Sequence, residues 1–576
     1  MKREGGHERR NILRAAAAGR SLGVCVCTAG FVLGPLLAAV PAVQAAPPPL
    51  MEAGQENQAS RNLRQLRDEV EWRRLEGEVN SLEAQRREAA PPPAAQEPTV
   101  PAGAFRFRLE AVTHTPSAIL SDEEFTRVTA PFVGRDVAIA DLKAMLEAVN
   151  ALYREKGYVV CEARLAPQRI RGGRLLVTLV EGRTGCTTVS GAEHTSAGYI
   201  LGAFELKQGE VANYREMSDA LVRFNMTNDV ELSVDIRAGE APGTTDYEIR
   251  TTEPPNWSAS FFADTLGPRS TGRPRAGVSI TNRSVFGRRD AATLLGLVSE
   301  GSRSFYGSYG MPLNSMGTRL TASVSIGSVD VIAGPSAAGD VEGDSEYYAL
   351  RLEHPVYVTP QQKWTLWGEW SRQKSETDFF AVTINDVEID TARAGVEAIV
   401  FGSQSVFYFT TAVGHGRVKE RTFEERWEQN ILTGSAFWRV QTAPDWRVSV
   451  SGAWQAVIDG DPLSSSQYFY LGHTSGVRGY DNDVLSAEAG AYVNFEASWA
   501  PAGPRTALFA FLDAGRLTGT SSYSRRELAS TGLGATWPLW KGASVTATAG
   551  FPLIRNLGAG ERAGKARFDL AVTASW

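Results

Sequence analysis

The chain has 576 residues, more than one ordinary domain holds and enough for three or four structural units. Its formal net charge of −6 argues against a nucleic-acid partner, because a protein that binds nucleic acid carries a basic surface field. The 56 glycines and the charged fraction of 22% favour a sheet protein with many turns over a helical protein.

Residues 1–45 have the order of a secretory signal peptide. Six basic side chains stand in residues 1–20 against two acidic ones, residues 21–40 are apolar or small, and a small-residue cleavage site ends at Ala45. An uncleaved anchor is the alternative, since about 20 apolar residues can span a bilayer. The glycine and proline content favours removal, and no later apolar run of about 18 residues predicts a transmembrane helix. We therefore expect an exported protein.

Residues 46–90 predict a polar N-terminal helix, and residues 91–104 predict a stiff, proline-rich linker. The helix carries a thin apolar stripe among Arg, Glu and Gln. The stripe consists of Leu63, Leu66, Val70, Leu75, Val79 and Leu82. Because so polar a helix does not fold alone, we expect it to dock on another surface or to line a wet cavity.

Residues 105–182 and 183–253 predict two copies of one α+β unit. The predicted elements are a strand at 105–109, helices that begin at Ser121 and near Leu142, strands at 158–163 and 175–180, helices at 197–206 and 214–224, and strands at 230–236 and 247–249. Ser121 and Glu124 have the spacing of a capping box, and Gly157 is suited to end the second helix.

Two cysteines follow the predicted signal peptide, Cys161 and Cys186. An oxidising compartment permits a disulfide between them, and two separate buried thiols fit the sequence equally well. Their spacing is not that of a metal site.

Residues 254–576 predict a transmembrane β-barrel. Apolar and polar residues alternate from Leu320 to Ile326 and from Trp446 to Val450, as in strands with one apolar face. The roughly 320 residues hold about 16 strands of about 10 residues and leave the rest for turns. The expected fold class is therefore a membrane all-β barrel of about 16 strands, preceded by two α+β units and a helix.

A soluble β-sandwich would show the same alternation, and three features favour the membrane barrel. Aromatic residues cluster near the expected strand ends, as interfacial girdles do. The clusters are Trp364, Trp367 and Trp370, and Tyr468, Phe469 and Tyr470. The polar face carries charges that a packed core would exclude. The chain also ends on an outward apolar series from Phe568 to Ala574 before Trp576, and we expect Phe568 and Trp576 to serve barrel assembly.

The residue patterns predict neither catalysis nor a cofactor. Residues 560–566 resemble a phosphate-binding loop but are one residue short and lack the Ser or Thr. Residues 472–476 place Thr474 where a nucleophile elbow needs Ser. We therefore expect no enzyme activity, no cofactor and no metal site.

Two short motifs stand out in the predicted barrel. The first is Val477-Arg478-Gly479-Tyr480 in a long segment between strands, and the second is Phe511, Asp513 and Gly515, alternating along one strand. An arginine on a wall carboxylate forms paired, charge-assisted hydrogen bonds that can anchor a loop inside a lumen. Gly476 and Gly479 allow the backbone to turn and approach the wall. A solvated Arg478, with Asp513 paired to a neighbouring strand, explains these residues equally well.

The first motif resembles the VRGY signature of the two-partner secretion transporters (TpsB), and the second resembles the matching strand motif of their superfamily. Further positions fit the POTRA patterns of these proteins. They are Tyr153, Gly157-Tyr158, Pro167-Gln168 and Glu181-Gly182 in the first unit, and Gly239 and Pro242-Gly243 in the second. The resemblance covers nearly all of the chain after the predicted signal peptide.

The resemblance implies an outer-membrane translocator of a Gram-negative bacterium. Its periplasmic POTRA domains would recognise a large secreted exoprotein, and its barrel would export that partner unfolded (type Vb secretion). It also implies an Arg478–Asp513 contact, and outer-membrane lipids and the barrel assembly machinery as further partners. For the N-terminal helix it implies a plug role, and a cap on the periplasmic side of the barrel is an equal alternative. An insertase of the same superfamily, which usually carries more POTRA units, and a simple porin are the alternatives.

Overall fold

A computed structural model describes residues 58–88, 106–204, 206–474, 476–482, 484–503, 505–519, 525–558 and 561–576. The predicted signal peptide 1–45, the first part of the predicted helix, and the linker 91–104 lie outside these ranges. The helices are α1 (Gln58–Glu88), α2 (Asp122–Thr129), α3 (Ile139–Glu155), α4 (Ala197–Leu201) and α5 (Tyr214–Thr227). No helix among the described residues is both long and apolar enough to cross a membrane.

Two small α+β units precede the barrel. Their strands are β1 (Arg106–Arg108), β2 (Ala111–His114), β3 (Asp136–Ala138), β4 (Glu162–Arg164), β5 (Arg174–Val180), β6 (Arg183–Ser190), β7 (Glu231–Ala238) and β8 (Thr244–Thr252). The first unit has a sheet in the order β2-β5-β4 and the second a sheet in the order β6-β8-β7. In each sheet the first strand pairs in parallel with the central one, and the other pair is antiparallel.

The first unit follows the sequence prediction closely, apart from the start of one strand and two short strands that were not predicted. The capping box is confirmed, since Ser121 and Glu124 exchange both of its hydrogen bonds at the start of α2. The predicted strand at 158–163 is wrong in its first part, because Cys161 N–H donates to the Tyr158 carbonyl in a turn and the strand begins only at Glu162. The short strands β2 and β3 were missed, since each pairs with a strand that is not its neighbour in the chain: β2 with β5, and β3 with β1.

A partly buried carboxylate joins the end of this sheet to the loop before α2. Glu181 accepts hydrogen bonds from the Tyr153 hydroxyl at 2.8 Å, from the Ala118 N–H at 2.9 Å and from the Ser117 hydroxyl. Burial acts to raise the pKa of Glu181, but these hydrogen bonds outweigh it and hold the pKa below the ordinary value of 4.5. The carboxylate form is therefore the one that stabilises the unit.

The second unit is attached on both sides. At the first unit, the Tyr214 N–H donates to the Gly157 carbonyl at 2.8 Å, so the start of α5 lies against the end of α3. At the barrel, Arg289 is buried and donates to both oxygens of Asp229 at 2.8 and 2.7 Å. The predicted helix at 197–206 is shorter than expected, since α4 ends where Gly202 closes its last turn.

Sixteen strands of the described chain form a closed, antiparallel barrel in which each strand pairs with the next barrel strand along the chain, and the last pairs with the first. They are β9 (Trp257–Asp264), β10 (Arg275–Asn282), β11 (Ala291–Ser299), β12 (Ser302–Pro312), β13 (Arg319–Asp330), β14 (Val341–Thr359), β15 (Gln362–Phe379), β16 (Val382–Phe401), β17 (Ser405–Glu420), β18 (Glu425–Ala443), β19 (Trp446–Gly460), β22 (Ala489–Trp499), β23 (Ala507–Thr518), β24 (Glu527–Trp540), β25 (Ala543–Pro552) and β28 (Arg567–Ser575). Four short strands lie in loops: β20 (Phe469–Leu471), β21 (Leu485–Ala487), β26 (Asn556–Gly558) and β27 (Glu561–Arg562). The predicted fold class is confirmed.

The barrel closes where the last strand meets the first. Five residue pairs join β28 to β9, from Ala571 opposite Asp264 to Ser575 opposite Ser260. Trp576 extends this seam, because its backbone exchanges hydrogen bonds of 2.9 and 3.1 Å with Ala259.

The period of two separates an apolar outer face from a polar lumen. Trp364 and Trp370 are exposed on the outside, as expected for girdle residues. Trp367 lies on the opposite face of the same strand, and its ring lies under the Arg351 guanidinium at 3.9 Å. Tyr468–Tyr470 do not belong to a girdle either, because they lie in a loop inside the barrel. In the outward series from Phe568 to Ala574, Ala574 is buried.

Helix α1 lies inside the lumen and settles the open question of where it docks. Near its start, Asn62 donates to Thr271 and Ser302 on the extracellular side of the barrel. Near its end, Arg439 on the wall donates to Glu83 at 3.1 Å. The helix of 31 residues therefore runs the length of the lumen, with its C-terminus at the periplasmic mouth.

The two cysteines are not joined. Cys161 is buried and Cys186 is exposed, and both are free thiols. Burial, with a contribution from the Glu181 carboxylate, raises the pKa of the Cys161 thiol to about 11. Because thiol exchange needs the thiolate, Cys161 is chemically quiet at neutral pH.

The Glu181 hydrogen bonds predict acid sensitivity of the first unit. Since the folded-state pKa is lowered, the stabilisation is complete above pH 4.5 and is lost as the pH falls through the folded-state value. Amide hydrogen exchange of β5 in the full-length protein, corrected for the intrinsic rate, should show protection falling below pH 4.5. Glu181→Gln should reduce this pH dependence, and Glu147→Gln on the exposed face of α3 should not. Equal pH dependence in the wild type and Glu181→Gln would contradict the assignment.

Candidate functional site

The candidate site is a long extracellular loop folded back into the barrel. It comprises residues 461–488 between β19 and β22, and we call it the lumen loop. Its strands β20 and β21 pair with each other, and its apolar residues form a buried cluster with the wall. The cluster includes Leu471, Val477, Tyr480, Leu485 and Ala487 from the loop and Leu517 and Leu528 from the wall.

Arg478 in this loop contacts Asp513 on β23. The guanidinium donates to both carboxylate oxygens, from Nε to Oδ2 at 2.9 Å and from Nη2 to Oδ1 at 3.0 Å. The Arg478 backbone N–H donates to Oδ2 at 3.0 Å. The Asp513 side chain is 0% exposed, so its charge is compensated by Arg478 rather than by water. The sequence was compatible with either an Arg478–Asp513 contact or a solvated Arg478, and the structure has the contact.

Two neighbouring wall residues complete the seat of Arg478. Its Nη1 donates to Oε2 of Glu496 on β22 at 2.6 Å. Its guanidinium carbon lies 3.8 Å from the ring centre of Phe511, which faces the lumen and is buried. Glu496 and Phe511 are directly opposite each other in the sheet, so Arg478 fits between two adjacent strands. The aromatic member of the strand motif therefore contacts the same side chain as the acidic one.

Glycines allow the loop to reach the wall. Gly479 has a φ of 88°, and a Cβ there would lie 3.0 Å from the Gly550 carbonyl carbon on β25. At Gly515, a Cβ would lie 2.6 Å from the side chain of Leu471 in the loop. Both positions lack room for a side chain, which explains why glycine stands in each motif.

Tyr480 fixes the loop on its other side. Its hydroxyl lies 2.7 Å from the carbonyl oxygen of Ala529 and 2.8 Å from that of Ile554, and it accepts from the Ile554 N–H at 3.2 Å. Val477 and Tyr480 are both almost fully buried. The four residues of the first motif therefore contact the wall from β22 to β25.

A second set of charges, which the sequence reading missed, supports the loop at the seam of the barrel. Arg567 on β28 donates to the Tyr480 carbonyl at 3.0 Å, to Asp481 at 2.9 Å and to Asp569 at 2.9 Å. Arg273 also pairs with Asp481. Arg567 and Asp569 alternate on the lumen side of the last strand, and this alternation is a signal by which the sequence could have pointed to the contact.

The lumen loop also contacts α1. Arg64 donates to the carbonyls of Tyr468, at 2.7 Å, and Ser466. The Arg61 guanidinium lies 4.6 Å from the ring centre of Tyr470. The aromatic cluster of the loop is thus a contact surface for the helix.

The two residues expected to serve assembly lie far from this loop. The Phe568 side chain is 73% exposed and the Trp576 side chain 70% exposed, both on the outer face of β28 or at its end. They do not contact the Arg478 seat.

Comparison with known proteins gives a consistent result. The sequence profile of the family "Haemolysin secretion/activation protein ShlB/FhaC/HecB" matches residues 243–537, more than half of the chain. The profile "POTRA domain, ShlB-type" matches residues 107–182.

Several characterised transporters are similar in sequence. The outer membrane transporter CdiB of Escherichia coli is 24% identical over 490 residues, which is 78% of this chain and 79% of the relative. The heme/hemopexin transporter protein HuxB of Haemophilus influenzae is 23% identical over 397 residues, 65% of this chain and 68% of the relative. The hemolysin transporter protein ShlB of Serratia marcescens is 21% identical over 369 residues, 61% and 65% of the two chains.

Solved structures share the fold. CdiB from Escherichia coli superimposes with a TM-score of 0.66 at 19% identity, covering 92% of this chain and all of that one. CdiB from Acinetobacter baumannii gives a TM-score of 0.60 at 17% identity, covering 89% and 99%. The predicted resemblance is confirmed: the chain belongs to the ShlB/FhaC/HecB haemolysin secretion/activation family, and it is an outer-membrane two-partner secretion transporter that exports a partner protein.

Proposed function

We propose that export of the partner depends on the lumen loop being held by the Arg478–Asp513 ion pair. The observation that carries this proposal is the complete burial of the Asp513 carboxylate, with both oxygens bound by Arg478. Removing one partner of such a pair leaves a buried charge without compensation and costs about 3–5 kcal/mol. The lumen loop would then detach from the barrel wall, and the channel would lose the part of its lining that the loop provides.

The partner enters from the periplasmic units. Each unit has a sheet with two outer strands, β2 and β4 in the first and β6 and β7 in the second. An unfolded polypeptide can add to a free sheet edge through backbone hydrogen bonds, with little demand on its sequence. We infer that such pairing holds the exoprotein extended before it enters the barrel, and that its folding outside the cell makes passage one-way. Export by this route needs no catalytic residue, so we propose that the protein acts as a transporter and not as an enzyme.

We further propose that α1 is a plug. It lies along the lumen, and its contacts with the wall and with the lumen loop occupy the path that a partner would take. Its polar surface suits a water-filled channel, and it must shift before a chain can pass.

The outer surface and the last strand would interact with the membrane and with the assembly machinery. Exposed apolar residues such as Leu350, Leu366 and Leu533 face outward and suit lipid chains. Phe568 and Trp576 are exposed at the seam strand, where a machinery that folds barrels has access to them before closure.

The ion pair predicts a secretion defect. In cells that co-express the partner exoprotein, Arg478→Ala should lower secretion by roughly tenfold or more, because the loop loses its buried anchor. Arg516→Ala is the matched control. Arg516 lies on the same strand as Asp513, but its side chain is exposed and its ion pair with Glu527 is long, at 3.7 Å. Heat-modifiable migration of both variants checks that the barrel has assembled. Normal secretion by an assembled Arg478→Ala variant would refute the anchor role.

The close approach of Gly479 to the wall predicts a second, steric route to the same defect. Gly479→Ala adds a Cβ at 3.0 Å from the Gly550 backbone, so the loop should move and trypsin should cleave after Arg478 in intact cells. Gly503→Ala is the control, because Gly503 has a φ of 93° but has no atom within 4 Å of the added Cβ. Both variants carry the backbone penalty of about 1–2 kcal/mol. Equal trypsin sensitivity of the two would show that the close approach has no importance.

The terminal aromatic predicts an assembly defect. Trp576→Ala keeps the backbone pairing with Ala259 and removes only the exposed ring. We expect less heat-modifiable protein in the outer membrane. Trp540→Ala removes another ring, 57% exposed, and should assemble normally. If both variants assemble equally well, the terminal ring is not a recognition element.

A further inference from the structure

The C-terminal half of α1 rests on an apolar surface at the periplasmic mouth of the barrel, which we call the α1 seat. It is formed by Ile399 and Phe401 on β16, Val406 and Tyr408 on β17, Val358 on β14, Phe437 on β18, and Met226 and Val222 on α5. Leu75, Val79 and Leu82 of α1 fill it, and all three are almost fully buried. Their spacing of four and three residues is that of one helix face.

Two cations border the α1 seat, and α1 supplies a carboxylate to each. Lys363 on β15 pairs with Glu78, and its side chain is only 10% exposed. Arg439 on β18 donates to Glu83 at 3.1 Å and to Asn80 at 3.0 Å, and its side chain is 11% exposed. The seat therefore matches a helical segment that carries Leu or Val on one face and acidic residues beside them.

The position of the seat decides which molecule meets it during export. Met226 and Val222 belong to the second periplasmic unit, and the other residues belong to the barrel wall. A chain that passes from the second unit into the lumen therefore crosses this surface first. When α1 leaves, the same apolar side chains become exposed, and Lys363 and Arg439 lose their carboxylate partners.

We propose that the α1 seat is also a docking site for the exported partner, which takes the place of α1 with an amphipathic segment of apolar and acidic residues. This inference rests on the proposed function, because it assumes that a polypeptide enters the lumen. Helix α1 then acts as an internal mimic of the partner: it keeps the seat covered until a segment of the same chemistry replaces it. Recognition of the partner is thereby coupled to opening of the channel.

Exchanging the charges of Lys363 and Glu78 tests docking of the partner separately from binding of α1. Lys363→Glu and Glu78→Lys alone should each loosen α1 and raise the ion conductance of the protein in planar bilayers. The double variant restores the ion pair with its charges reversed, so its conductance should return to the wild-type level. Its secretion of the partner should stay roughly tenfold or more below wild type, because the partner's acidic segment then meets a carboxylate at position 363.

Exchange of Arg372 and Asp390 is the matched control. These residues form an ion pair on β15 and β16, with Nε–Oδ1 and Nη2–Oδ2 distances of 2.7 and 2.9 Å, on the outward face that also carries Trp370. The exchange should change neither conductance nor secretion. The Arg439→Glu and Glu83→Arg pair repeats the test at the second cation and serves if the first double variant does not assemble.

Secretion equal to wild type in a double variant with wild-type conductance overturns the proposal. A photo-crosslinking residue at Val222 gives an independent readout: it should react with α1 in the resting protein and with the partner during secretion. If it reacts only with α1 while the partner is being secreted, the seat is not a docking site. Failure of the export function itself is distinguishable, because the wild type would then secrete no partner and Arg478→Ala would have no effect.

Discussion

A barrel of 16 strands encloses more space than side chains from its own wall can fill, and the rest of the structure follows from this constraint. The part of the outer face that sits in lipid must be apolar, so most polar residues of the strands at that level point into the lumen. In an empty barrel they would face water. Here two inserted segments, α1 and the lumen loop, occupy that space and supply partners to the wall.

Ion pairs hold both segments, but they differ in geometry. The lumen loop is fixed by a carboxylate that is completely buried and bound on both oxygens, with Arg567 acting as a second anchor at the seam. The α1 helix is fixed by pairs that keep some exposure, Lys363 with Glu78 and Arg439 with Glu83. Because partly exposed pairs contribute less than buried ones, α1 is the easier segment to release. This difference suits a channel with a permanent loop and a removable helix.

The apolar contacts also indicate that the lumen loop is held more firmly than α1. The lumen loop contributes to a buried cluster with wall residues of β22, β23 and β24. The α1 seat is shared between the barrel and α5 of the second unit, so its integrity depends on where that unit lies. Asp229 and Arg289 fix the second unit to the barrel, which keeps Met226 beside α1. In the proposed mechanism, entry of the partner, release of α1 and the position of the second unit are therefore physically linked.

Much of the fold was predictable because it depends on local patterns. Alternation with a period of two identified the strands, and division of length by strand size gave the strand number. The capping box at Ser121 set the start of α2 through contacts within four residues. The parallel strand β2 was missed, since a strand of four residues shows almost no alternation and its pairing with β5 is not local.

The sequence by itself determined which residues alternate, where the chain turns, and that Arg478 and Asp513 belong to two recognisable motifs. It did not determine what lies across the lumen from what. Trp367 was expected in a girdle and faces inward, because the number of residues from Trp364 is odd. Tyr470, Arg567 and the carboxylates of α1 acquire their partners only when the barrel closes around two inserted segments. Those contacts join residues far apart in the chain, and pairing across a lumen leaves no local pattern to read.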